Sequence, residues 1–137
     1  MGPWKGQLVW LVVAAYAAVL CFYSLGSGAL PGAGLSEALP GRDLAAHGLA
    51  YGGLAFMLCV ALSRRCARWL WAAAVALTLS AGYAGVLELA QAFVPARTAS
   101  CADLFAGVLG GGAACALWVA GRSLCVACRR PCSALLR

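Results

Sequence analysis

The stretch "LELAQAFVPARTASCADLFAG", residues 87–107, places Glu88, Gln91, Arg97 and Asp103 between two apolar runs. Pro95 disfavours helix in the residue before it, so the segment reads as the end of one helix, a short hairpin over 95–102 and the start of another. A polar group between apolar runs is costly unless it has a partner or a use. The meaning of these four side chains therefore depends on whether the flanking runs cross a membrane.

Composition answers that first. The chain has 137 residues, of which 64% are hydrophobic and only 10% charged, and its mean hydropathy is +0.90. Soluble domains are nearer a quarter charged. Four apolar runs, 7–25, 44–62, 69–94 and 104–120, are each long enough to cross a hydrocarbon core of roughly 30 Å as helix. These features predict an all-α integral membrane protein, a single domain over 1–137 built as a four-transmembrane-helix bundle. Lys5 before the first run is compatible with a signal peptide. That run exceeds a usual signal core, however, and Leu20 is a poor residue to precede a processed Cys21, so it is expected to stay as a helix.

Basic residues set the expected orientation. Lys5 precedes the first run, Arg64, Arg65 and Arg68 lie between the second and third, and Arg122, Arg129, Arg130 and Arg137 follow the fourth, against Arg42 and Arg97 in the other connections. The positive-inside tendency then places both termini and the middle loop in the cytoplasm. The pI of about 9.1 records this anchoring. No basic stripe with interleaved aromatics suits a nucleic-acid groove.

The connection "GSGALPGAGLSEALPGRD" is rich in Gly and Pro and reads as irregular chain, with one short turn at Ser36–Leu39. In the fourth run Ala106, Gly110 and Ala114 fall four apart, as do Gly107, Gly111 and Cys115. Such small-residue stripes let helices approach closely in lipid. They do not follow a strand, as a phosphate-cradling loop requires. No internal repeat pairs the two halves, so an inverted-repeat transporter is not invoked.

With this topology one end of the bundle collects the informative polar residues. Asp43, His47 and Tyr51 share a stripe at the start of the second helix, each four from the next, and Glu88 and Gln91 share a face near the end of the third. Arg97 lies in the following loop and Asp103 opens the fourth helix. Each also has an ordinary reading. Asp103 after Ser100 resembles a helix cap, His47 can satisfy itself on Tyr51 or a carbonyl, and Arg97 can sit solvated. Glu88 differs, because a carboxylate inside lipid must be neutral, paired or facing water.

These residues resemble the VanZ-like family of small membrane proteins. The likeness rests on His47 with Tyr51 four later, then E-x-x-Q-x-F-x-P-x-R at Glu88, Gln91, Phe93, Pro95 and Arg97, then Asp103 six after the arginine and a Gly-rich last helix. It covers about 43–117. Two positions depart from the family: only Arg42 stands for a basic residue before the histidine, and Phe105, Ala106 and Gly107 replace an Asn after the aspartate. The resemblance implies a bacterial cell-envelope protein of the cytoplasmic membrane, associated with resistance to teicoplanin-type glycopeptides. It supplies no reaction.

The leading expectation is a non-catalytic protein whose outer-leaflet site binds the head of a membrane lipid or lipid-linked envelope intermediate. Its binding residues would be His47, Tyr51, Glu88, Gln91, Arg97 and Asp103, with Arg97 holding an anionic group through its planar fork. The alternative is a membrane-embedded enzyme acting on a lipid phosphate or ester, with His47, Glu88 and Asp103 as acid and base groups. No serine or cysteine nucleophile stands in a recognisable setting. No cofactor is expected. Cys125, Cys128 and Cys132 in "CVACRRPC", with Cys66, have spacing that suits zinc in principle. A basic tail on the reducing side reads better as unpaired thiols, so no metal is assigned. Cys21, Cys59 and Cys115 read as small packing residues, and no structural disulfide is expected for Cys101.

Overall fold

The structure, a computed structural model, describes residues 4–26, 42–64, 68–95 and 97–128. Four helices follow in order: α1 (Trp4–Leu25), α2 (Arg42–Ser63), α3 (Trp69–Gln91) and α4 (Cys101–Cys128). There is no strand among the described residues. Each helix contains a segment of at least 20 residues long and apolar enough to cross a membrane. The chain is therefore an all-helical, multi-pass membrane protein.

Several boundaries differ from the sequence reading: α1 starts at Trp4 instead of 7, and α2 spans Arg42–Ser63 instead of 44–62. The third helix stops at Gln91 instead of 94, because the chain tightens ahead of Pro95 into turns closed by Phe93 N–H to the Ala90 carbonyl and Val94 N–H to the Gln91 carbonyl. The fourth begins at Cys101, just after Ser100, whose carbonyl accepts the Leu104 N–H at 3.2 Å. It then continues past 120 to Cys128, so the first eight residues of the expected tail are helix. Arg122 packs over the Trp118 ring at 5.9 Å, and the Ser123 hydroxyl returns to the Val119 carbonyl at 3.0 Å. The Ser36–Leu39 turn, Cys66 and Cys132 lie outside the described residues.

Helices α2, α3 and α4 form the body, and α1 lies against α2 and α3. The α2–α4 seam is close because both faces are nearly bare. A Cβ at Gly110 would overlap the Gly48 backbone carbonyl, one at Gly52 would fall 3.0 Å from the Gly110 oxygen, and one at Gly107 would meet the Tyr51 ring at 2.7 Å. Without a hydrophobic force between helices in lipid, such close approach supplies the dispersion contacts that hold them. Below the seam Leu54, Ala55, Leu58, Ala72, Ala76 and Trp118 fill the centre. The buried Cys59 and Cys115 thiols meet there at 3.6 Å. The opposite faces, with Phe22, Leu49, Leu89, Leu109 and Leu117, are exposed and apolar, as a lipid-facing surface requires.

Helix α1 is held differently. Among the described side chains of α1 only Val13 is buried, and two tyrosines tie the helix in. The Tyr16 hydroxyl donates to the Ala50 carbonyl at 3.0 Å, and the Tyr83 hydroxyl donates to the Ala17 carbonyl at 2.7 Å.

Candidate functional site

The antiparallel order brings the C-terminal ends of α1 and α3 beside the N-terminal ends of α2 and α4. The chain has one histidine and four acidic residues, and His47, Asp43, Glu88 and Asp103 all belong to this end. Glu37 lies outside the described residues. Three of the four acidic residues and the one histidine thus gather where four helix ends meet.

Glu88 is buried, with 6% exposure. Its Oε2 accepts the Ser100 backbone N–H at 3.0 Å, joining the end of α3 to the entry of α4. The Ser100 hydroxyl oxygen completes the corner by accepting the Asp103 N–H at 3.4 Å. The other carboxylate oxygen, Oε1, faces His47 Nε2 at 3.8 Å, too far for a direct hydrogen bond.

His47 is placed by its own helix. Its Nδ1 lies 2.9 Å from the Asp43 carbonyl; a carbonyl only accepts, so Nδ1 is the donor. This fixes the ring, leaves Nε2 toward Glu88, and sets Asp103 Oδ1 3.8 Å from Nδ1. The ring also stacks on Tyr51, with centroids 6.2 Å apart. One ligand-type atom each from His47, Glu88 and Asp103 lie within 4.8 Å of one another.

On the other side of His47 opens a cavity of about 210 Å³ lined by Leu20, Tyr23, Ser24, Asp43, Ala46, His47, Ala50, Tyr51, Gln91 and Arg97. Gln91, 6% exposed, donates through Nε2 to the Ser24 carbonyl at 3.1 Å. Arg97 Nη2 donates to the Tyr23 carbonyl at 3.0 Å and the Gly26 carbonyl at 2.9 Å. The carbonyls at the end of a helix lack intrahelical partners and carry the negative end of its dipole, so a guanidinium is well matched to them.

Of the six residues expected to bind, His47, Tyr51, Gln91 and Arg97 line the cavity. Glu88 and Asp103 do not; they cluster with His47 behind its wall. Arg97, expected to face an anionic ligand, is in part spent on the end of α1. Sequence reasoning missed Tyr23 and Ser24, whose position at the close of the first run was the available signal, and it missed Ser100 as the partner of Glu88. The Asp43 carbonyl as the anchor of His47 follows from the four-residue spacing already noted.

Comparison of the chain with protein-family models, curated proteins and solved structures finds no match.

Proposed function

We propose that this chain is a VanZ-like protein of the bacterial cell envelope that binds the polar head of a membrane lipid or lipid-linked envelope intermediate, and so acts in resistance to teicoplanin-type glycopeptides. The observation that supports this most directly is the cavity: about 210 Å³ with side chains from α1, α2, α3 and the α3–α4 loop, at the polar end of an otherwise apolar bundle. Its walls divide as an amphiphile does. Leu20, Ala46 and Ala50 offer an apolar side, and Ser24, Asp43, His47, Gln91 and Arg97 a polar one. In this reading both termini are cytoplasmic, following the basic loops, and the cavity opens toward the outer leaflet of the cytoplasmic membrane. Arg97 already fastened at one nitrogen is a pre-organised donor, which lowers the entropic cost of presenting its remaining N–H groups to an anionic head.

The test is binding of phosphatidylglycerol and a polyprenyl phosphate to the purified chain, read by native mass spectrometry, beside teicoplanin susceptibility of cells expressing it. Arg97→Ala is expected to weaken retention at least tenfold and to abolish any protection. A melting curve for the same variant checks that α1 remains docked. Retention and susceptibility both unchanged in Arg97→Ala would remove the reading.

A second reading, an enzyme acting on a lipid phosphate or ester by acid–base chemistry, draws on the His47–Glu88 separation of 3.8 Å. Such a pair can tighten or work through water once substrate arrives. Phosphate release from lipid-linked phosphates, abolished by Glu88→Gln, would favour it over simple binding.

A further inference from the structure

Three carboxylates and one histidine share this end of the bundle, and the nearby cation, Arg97, already donates to two carbonyls. Behind the cavity wall, the cluster of His47, Glu88 and Asp103 is better prepared for a positive guest than for an anion. The geometry behind His47 is more specific. Because Nδ1 donates to the Asp43 carbonyl, the nitrogen that turns to Glu88 is Nε2, the one available as a ligand. Donation of the second ring N–H to a backbone carbonyl is the arrangement that usually orients a metal-binding histidine.

Opposite Nε2 stands a carboxylate oxygen of Glu88. Glu88 is more than nine-tenths buried as a residue, its Oε2 is taken by Ser100 N–H, and its Oε1 faces the imidazole at 3.8 Å. The Asp103 carboxylate lies nearest the other ring nitrogen, 3.8 Å from Nδ1, and belongs to the same group of ligand-type atoms. Donor atoms on one ion at about 2.0–2.2 Å lie roughly 3–4.3 Å apart, so a group whose atoms span 4.8 Å needs to contract by only about half an ångström to share one.

We infer that His47, Glu88 and Asp103 bind one divalent first-row metal ion between α2, α3 and α4. One imidazole with two carboxylates is a mixed hard set suited to Mn²⁺ or Zn²⁺, and three protein ligands leave positions for water or for an oxygen of a guest. The ion offsets the repulsion between Glu88 and Asp103. It also cancels the negative charge behind the wall that His47 shares with the cavity, and its open positions can take an anionic oxygen. Resting on the head-group reading in that one respect, the inference makes the ion part of what draws an anionic head.

Mn²⁺ is the probe, because it avoids the thiolates of Cys125 and Cys128. Full-length protein in detergent, stripped with chelator, is titrated while the electron paramagnetic resonance signal of free Mn²⁺ is followed. One ion per chain is expected, with affinity at least tenfold weaker in Glu88→Gln and in Asp103→Asn and unchanged in a Cys125→Ser, Cys128→Ser double variant. The Glu88→Gln amide oxygen can still accept from Ser100 N–H, so this variant preserves the corner, and its melting temperature without metal should match that of the parent. Absence of stoichiometric Mn²⁺, or uptake indifferent to both carboxylate variants, overturns the inference. Mn²⁺ uptake without lipid retention leaves the metal site standing and removes the head-group reading. Lipid retention that is the same in chelator and in Mn²⁺, with no Mn²⁺ taken up, does the reverse.

Discussion

The two ends of the α2–α4 seam are held by opposite means. Toward the middle of the bundle, Gly48, Gly52 and Gly110 let two backbones touch, and the contact is made of small groups with nothing polar to satisfy. At the His47 end the same two helices are joined through Asp103, Glu88 and the Ser100 amide, groups that cannot stand in lipid unless each finds another. The first kind of contact specifies distance; the second specifies which side chains meet. A membrane protein with so few charges uses close approach to build and reserves its polar groups for a place that can do chemistry.

That contrast can be broken most severely at the seam. Gly110→Val puts a branched side chain where even a Cβ overlaps the Gly48 carbonyl, and backbone yields less readily than side chain. A loss of about 3 kcal/mol is expected, at the upper end of overpacking costs, visible as a large fall in melting temperature in detergent. A variant as stable as the parent would mean that α2 and α4 are not in contact there.

The polar end should respond more gently and with a chemical signature. Glu88→Leu removes the acceptor of a part-buried backbone N–H and should cost about 2 kcal/mol, whereas Glu88→Gln keeps the hydrogen bond and should cost far less. Equal destabilisation by the two, in the same melting assay, would show that the Glu88–Ser100 bond contributes nothing. Smallest is the attachment of α1. Tyr16→Phe and Tyr83→Phe each delete one hydroxyl-to-carbonyl bond and should cost about 0.6 kcal/mol, as side-chain hydrogen bonds inside membranes average. The two effects should add, because the tyrosines grip α1 at different carbonyls.

The same contrast explains what could be read in the chain itself. The four spans were legible because apolar runs of 17 or more residues have few alternatives, and the Gly107–Gly111–Cys115 and Ala106–Gly110–Ala114 stripes announced a packed face. The end of α4 was not, since Gly121, Arg122 and Ser123 look like an exit from helix, and the Arg122–Trp118 and Ser123–Val119 contacts accompany the continuing turn. At the site, the i, i+4 spacing placed His47 over Asp43 and beside Tyr51, and the i, i+3 spacing paired Glu88 with Gln91. Which residues meet across helices followed from no local pattern. Arg97 reaches carbonyls 71 and 74 positions earlier, and Gln91 reaches one 67 positions earlier. Those contacts belong to the tertiary arrangement, and they divide the expected single pocket into a cavity and a cluster with His47 between them.

The length of α4 has a consequence for depth. Its 28 residues reach about 42 Å at 1.5 Å each, some 12 Å beyond the hydrocarbon thickness. Arg122, exposed one turn beyond the buried Trp118, is the kind of side chain that settles at a headgroup boundary. With Arg122 pinned there, Asp103 rides about 28 Å higher along the same axis. The acidic cluster then stands just under the far headgroups, within reach of ions from the adjoining water and well clear of the bilayer midplane, where an unpaired carboxylate is least tolerable.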